Sequence, residues 1–167
     1  MRARLYAVAV GIYLACLQVA FFLSLQTLAC STALTFALVT AAWLVGSGAG
    51  VWLPARLHRV CLLVSVAAPW TSQVLLESFP YRLEWLPVHA ALISASSVYA
   101  GVFFQALRSR FRTPGQLFFW ENNGFVLGLA LATLAAMQWG VDFVRSAPAA
   151  GLLLLAFSRS APSPRDS

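Results

Sequence analysis

Residues 117–137 read LFFWENNGFVLGLALATLAAM, and this stretch decides the fold. It is long enough to cross a membrane as a helix, which takes about 20 apolar residues. It carries one charge, Glu121. Small residues follow at intervals of four, which places them on one helix face together with Glu121. They are Gly124, Gly128, Ala132 and Ala136. We therefore expect this helix to pack closely on a neighbouring helix and to turn its acid towards that contact.

The composition predicts a membrane protein with several spans. The chain has 167 residues, of which 60% are hydrophobic and 10% are charged, and its mean hydropathy is +0.79. Soluble proteins have about 25% charged residues. We predict an all-α, polytopic membrane protein with about six transmembrane helices in one domain, residues 1–157. A polar tail rich in proline and serine, residues 158–167, should be disordered.

Apolar runs and helix-breaking residues give the bounds of the predicted helices. They are residues 5–28, 33–53, 60–76, 86–107, 114–137 and 143–157, and the last is the shortest. Thr113 is a good N-cap and Pro114 suits the first helical position, so the fifth helix should begin ahead of the membrane. Glu121 then lies about 10 Å along that helix, near the membrane edge.

The basic residues of the chain predict its orientation. All of them are arginine, and the net charge is +6. With six spans, nine arginines fall on the side of the two termini and two on the other side, a strong positive-inside bias. Both termini should be cytoplasmic, and a bacterial inner membrane is the expected location. The same bias explains the charge, so we expect the lipid bilayer and not nucleic acid as the partner of these arginines.

Glu121 is the one position of the sequence that is a candidate for chemistry. The sequence shows no arrangement typical of a hydrolase and no clustered metal ligands, so we expect no enzyme activity, no metal and no cofactor. An acid within a span is costly and tends to face the bundle interior. One interpretation is a proton or cation relay, or a polar substrate contact. Its predicted members are Glu121, Gln105, Asn122, Asn123 and Gln18. The other interpretation is a structural anchor that pairs with Arg108 or Arg112.

Glycine positions predict where helices approach closely. Small residues four apart let two backbones come together. The predicted packing residues are Gly46, Gly50, Gly101, Gly124 and Gly128. Helix four carries a polar and small stripe, from Ala90 to Gln105, that matches the face of helix five. We therefore predict a contact between helices four and five, with the polar site at that contact.

Three stretches resemble the membrane domain of fused major-facilitator-like/spermidine-synthase-like proteins. They are residues 44–57 (LVGSGAGVWLPARL), 99–108 (YAGVFFQALR) and 115–140 (GQLFFWENNGFVLGLALATLAAMQWG). The resemblance implies a transporter-like bundle. Residues 1–167 contain neither a strand–glycine loop–helix unit nor an acidic site for a polyamine. An aminopropyltransferase is therefore not implied.

Three functions remain open at this point. The first is a transporter-like half-bundle without enzymatic activity, which would form a homo-oligomer because six spans are about half of a carrier built from two repeats. The second is a structural subunit that packs on partner membrane proteins through its glycine faces. The third is a membrane anchor for a separately encoded synthase-like enzyme.

Overall fold

The computed structural model describes residues 2–29 and 33–160, and all regular elements in these two ranges are helical. The long helices are α1 (Arg2–Leu28), α2 (Ala33–Val51), α3 (His58–Ser78), α4 (Leu86–Leu107), α5 (Pro114–Trp139) and α6 (Val141–Ser160). Single 3₁₀ turns precede α3 and α4 and follow α4, at Ala55–Leu57, Leu83–Trp85 and Arg108–Arg110.

Six helices of the described chain are long and apolar enough to cross a membrane. This confirms the prediction of an all-α protein with six candidate spans. The sixth helix is longer than predicted, because it begins at Val141, directly after the turn at Gly140, and continues to Ser160. Three residues assigned to the polar tail are therefore helical, and the rest of the predicted tail, 161–167, lies outside the described residues.

The helices pack in parallel and antiparallel pairs around α1 and α4. Helix α1 packs along α5 and α6, and α4 packs along α2 and α3. Contacts of α1 with α3 join the two groups, for example between Tyr13 and Ser65. The predicted packing of helix four on helix five is wrong: the two meet where the rings of Phe104 and Phe118 lie 6.3 Å apart, but the length of α5 lies on α1.

Glycines make the contact between α1 and α5 close. A Cβ atom added to Gly124 would lie 2.7 Å from the Cα atom of Val8, and one added to Gly128 would lie 2.7 Å from that of Ile12. From α1, a Cβ atom at Gly11 would collide with the carbonyl oxygen of Glu121. Residue numbers rise together on both helices, so α1 and α5 run parallel.

A second pair of glycine faces joins α2 to α4. A Cβ atom at Gly46 would collide with the backbone of Ser94, and one at Gly50 with the backbone of Val98. From the other side, Gly101 faces the backbone of α2 between Ser47 and Val51. All the glycines predicted to pack therefore do so, but in the pairs α1–α5 and α2–α4.

Candidate functional site

Glu121 lies at the contact of α5 with α1. The cap of α5 is as predicted: the Thr113 hydroxyl accepts a hydrogen bond from the backbone N–H of Gln116, at 3.3 Å. Two turns further on, Glu121 is only 8% exposed. It shares the buried face of α5 with Leu117, Gly124 and Gly128, and its backbone carbonyl oxygen lies against Gly11 of α1. The prediction that this acid turns towards a helix contact is confirmed, with α1 as the neighbour.

The other predicted members of the polar site do not join Glu121. Gln105 is exposed on α4, and its Nε2 atom donates to the carbonyl oxygen of Val51 on α2, at 2.8 Å. Asn122 and Asn123 are exposed on α5, and Asn123 donates to the carbonyl oxygen of Phe119 in its own helix, at 2.6 Å. Gln18 is half-buried on α1. The grouping predicted at a helix 4–helix 5 contact is therefore wrong, because those helices do not pack along their lengths.

The predicted anchor for Glu121 is also wrong. Across residues 2–29 and 33–160 the ion pairs are Arg82 with Glu84 and Arg145 with Glu77, so neither Arg108 nor Arg112 pairs with Glu121. The carboxyl of Glu121 makes no hydrogen bond within the described chain. In the same residues, every side-chain oxygen that is fully enclosed has a hydrogen-bond partner. The carboxyl oxygens must therefore keep some contact with the surroundings of the bundle.

Glu121→Gln is expected to leave the midpoint of thermal unfolding in mild detergent unchanged or to raise it by a few degrees. Glutamine keeps the size of the side chain and removes a charge that has no partner among the described residues and is costly in a span. A fall of more than about 4 °C, roughly 1–2 kcal/mol for a chain of this size, would contradict this expectation. Such a fall would show that the carboxylate is bound in the folded protein.

A second and larger group of polar side chains lies between α1, α3 and α4, and α6 closes one end of it. We call it the polar row. Its members are Tyr6, Tyr13, Ser24, His58, Ser65, Ser72, Gln73, Glu77, His89, Ser96, Tyr99 and Arg145. Most of these side chains are buried.

The polar row begins at the end of the bundle where α3 starts. The hydroxyl of Tyr99, a fully buried residue of α4, shares a hydrogen bond of 3.4 Å with Nε2 of His58. The same hydroxyl lies 3.3 Å from that of Tyr6 on α1. Three helices thus meet through one phenol group.

The centre of the polar row is a contact of three helices at Ser65. The hydroxyl of Ser65 donates to the carbonyl oxygen of Leu62 at 2.8 Å. The hydroxyl of Tyr13 on α1 shares a hydrogen bond of 2.7 Å with the Ser65 hydroxyl. Ser96 of α4 donates to the Ser65 carbonyl oxygen at 3.1 Å. Further along, Ser72 bonds Nδ1 of His89 at 2.8 Å, and His89 is 2% exposed.

The far end of the polar row reaches the surface through charged groups. Ser24 donates to Oε1 of Gln73 at 2.8 Å, and Nε2 of Gln73 donates to Glu77 at 2.7 Å. Arg145 of α6 donates to the same Glu77 oxygen through Nη2 at 2.8 Å and through Nε at 3.2 Å. The row therefore ends in an ion pair at the end of the bundle opposite to His58.

An open cleft lies at each end of the polar row. A cleft of about 590 Å³ borders Tyr6 and His58, with arginines around it. A cleft of about 260 Å³ borders Ser24, Gln73, Glu77 and Arg145. Within the described chain, no group of three or more His, Cys, Asp or Glu side chains could hold a metal ion. Hydroxyl, imidazole and amide groups between two clefts could hand on a proton or orient a polar solute.

A signal in the sequence could have located the polar row. His58, Ser65 and Ser72 are seven residues apart on α3, and His89 and Ser96 are seven apart on α4. Tyr6 and Tyr13 repeat this spacing on α1. Seven residues are about two helical turns, so each set lies on one face. The charge of Glu121 is the more conspicuous signal in the sequence, whereas these spacings become visible only when the three helices are compared.

Comparison of the chain with protein-family models, with curated proteins and with solved structures finds no match. The resemblance to the membrane domain of fused major-facilitator-like/spermidine-synthase-like proteins thus stays a prediction from the three quoted stretches.

Proposed function

We propose that this chain is an integral membrane protein, a transporter-like half-bundle without enzymatic activity, in which the polar row forms a path for protons. The observation that carries the proposal is the row itself: hydrogen-bonded polar side chains that follow α3 from one open cleft to another. Buried polar groups within membrane spans are costly and often mark ion pathways and proton relays.

The chemistry of the row fits protons better than a solute. Apart from Gln73, Glu77 and Arg145 at one end, its groups are hydroxyls and imidazoles, which can each donate and accept a hydrogen bond. The bonded groups at His58, Ser65 and Ser72 are separated by about 10 Å along α3, because seven residues rise 1.5 Å each. A proton would cross these intervals by rotation of hydroxyls and through bridging water. Pro69, within α3 between Ser65 and Ser72, is a position where a helix can bend and admit such water.

The arrangement of the chain in the membrane forms part of the proposal. The arginine-rich end is the cytoplasmic one, which follows from the positive-inside rule. It contains the start of α1 and the connections that follow α2 and α4. The location is a bacterial inner membrane. Two copies of the six-helix bundle would form the working unit, as in carriers built from two repeats.

Tyr13→Phe tests the path with little disturbance of the fold. The change removes one hydroxyl at the centre of the row, and the Ser65 hydroxyl keeps its bond to Leu62. We expect the proton flux into liposomes that contain the purified protein and a pH-sensitive dye to fall at least about tenfold, as when a relay loses a member. The midpoint of thermal unfolding should fall by no more than about 6 °C, because a single hydrogen bond contributes about 0.5–1.5 kcal/mol.

Two controls make the flux experiment specific. Tyr81→Phe removes the same hydroxyl from a side chain that is 71% exposed in the loop before α4, and it should keep full flux. Glu121→Gln should also keep it, because Glu121 lies on the α1–α5 contact outside the row. The proposal fails if the wild-type protein gives no flux above that of empty liposomes, or if Tyr13→Phe keeps the wild-type rate.

A structural subunit is the second candidate function, and one observation favours it. Every fully enclosed side-chain nitrogen and oxygen in the described chain has a hydrogen-bond partner, as in a bundle that is fixed by interhelical bonds. In that case, or for a membrane anchor of a synthase-like enzyme, a partner protein would co-purify with the native chain. Tyr13→Phe would then change stability alone.

A further inference from the structure

The cleft at the start of α3 combines space with a strong positive charge. It has a volume of about 590 Å³, within the range of about 300–1,000 Å³ that is common for small-molecule sites. Within the described part of the chain, four arginines line it: Arg2, Arg56, Arg59 and Arg110. We call it the arginine cleft. Tyr6 and His58 also line it, and both belong to the polar row.

The arginines of this cleft come from separate parts of the chain. Arg2 begins α1, Arg56 and Arg59 stand on either side of the start of α3, and Arg110 ends the 3₁₀ turn after α4. Folding of three segments is therefore needed to bring these charges to one cavity. The positive-inside rule accounts for arginines at this end of the bundle, but it does not require that they face a common space.

No acidic side chain of the described chain lines the arginine cleft. The described ion pairs, Arg82 with Glu84 and Arg145 with Glu77, lie at the opposite end of the bundle or in its loops. Like charges that share a cavity repel one another, and a bound anion would relieve this repulsion. The cleft thus has the charge and the room for an anionic ligand.

We propose that the arginine cleft binds a phosphate group, carried either by a soluble phosphate compound or by the headgroup of an anionic lipid. The guanidinium group offers a planar fork of N–H donors that matches phosphate oxygens in pairs, which an ammonium group does not. Several forks around one cavity can hold the oxygens of a phosphate from different directions. This inference stands on the cleft alone and does not require the proton path.

The test uses the full-length chain, purified in a neutral detergent. In one arm, inorganic pyrophosphate is titrated by calorimetry; in the other, native mass spectrometry counts lipids retained from phosphatidylcholine nanodiscs with and without phosphatidylglycerol. We expect saturable binding in at least one arm. Binding of pyrophosphate alone identifies a soluble ligand, and selective retention of phosphatidylglycerol identifies a lipid headgroup.

Two variants and a matched control assign this binding to the cleft. Arg56→Gln combined with Arg110→Gln should weaken binding at least about tenfold, because two charge-assisted contacts are lost. Arg110→Lys keeps the charge and the fold but loses the fork, and it should weaken binding several-fold. Arg108→Gln removes an arginine from the same end of the bundle that does not line the cleft, and binding should remain within about twofold of the wild type.

Three results would overturn the proposal. The first is the absence of saturable binding in both arms. The second is an equal loss of affinity in Arg108→Gln, which would show that only the overall charge of this end matters. The third is wild-type affinity in Arg110→Lys together with wild-type affinity in the Arg56→Gln/Arg110→Gln double variant.

Discussion

Gly101→Ala is expected to lower the midpoint of thermal unfolding in mild detergent by several degrees. An added methyl group would collide with the backbone of α2, at the carbonyl oxygen of Ser47 and the amide of Val51. Backbone atoms cannot rotate away as a side chain can, so α2 and α4 must separate. Overpacking of this kind costs about 1–3 kcal/mol. For a chain of this size, each kcal/mol corresponds to about 2–4 °C.

Gly48→Ala is the matched control for this prediction. Gly48 lies in α2 between two packing glycines, but no atom lies within 4 Å of the position that its Cβ would take. Alanine favours a helix over glycine by roughly 1 kcal/mol, so the midpoint should stay the same or rise. Equal losses in Gly101→Ala and Gly48→Ala would show that the glycines of α2 and α4 do not act through a close helix contact.

The sequence predicts the glycine faces well and their partners poorly. Small residues four apart define a face that can approach any backbone, so the pattern itself does not name the neighbour. Both glycine contacts join parallel helices, α1 with α5 and α2 with α4. Consecutive spans run in opposite directions, so two helices that follow one another in the chain cannot form a parallel contact. The pairing of helix four with helix five, predicted from the matching stripes of small and polar residues on the two helices, could not satisfy this condition.

The polar interior was difficult to predict for a different reason. Glu121 is conspicuous because a charge is rare within an apolar stretch, but serine and tyrosine are common on lipid-facing and core-facing surfaces alike. The presence of a serine at position 65 does not by itself show whether its side chain faces lipid or the core of the bundle. Only the equal spacing of polar residues on three helices shows that the polar faces of these helices could meet. A comparison of these spacings requires the orientation of each helix.

The ends of the bundle were the most predictable feature. The positions of the arginines between apolar runs predict that most of them share one side, and Arg2, Arg56, Arg59 and Arg110 border one cleft. The alternating direction of the spans is sufficient to place these arginines at one end, because that placement does not depend on which helices are in contact. The shape of the cleft, in contrast, depends on how α1, α3 and α4 pack, and no pattern in the sequence describes it.

Gly128→Leu is expected to destabilise the six-helix bundle of a single chain and not to separate two copies of the chain. Gly128 packs within the chain: a Cβ atom there would lie 2.7 Å from the Cα atom of Ile12 and 2.8 Å from Cβ of Ala15 on α1. A leucine would add three further carbon atoms at that point, at a cost of about 3 kcal/mol or more. The midpoint of thermal unfolding should fall by about 6–12 °C or the protein should aggregate on extraction.

Ala130→Leu separates this prediction from an effect on oligomers. Ala130 lies on the exposed face of α5, so a larger apolar side chain there should leave the midpoint of unfolding unchanged. If that face joins two copies of the chain, Ala130→Leu should alter the mass of the detergent-solubilised particle, measured by light scattering, while Gly128→Leu lowers stability. A Gly128→Leu protein that keeps its unfolding midpoint and has half the wild-type mass would contradict the contact of α5 with α1, because Gly128 would then face a second chain.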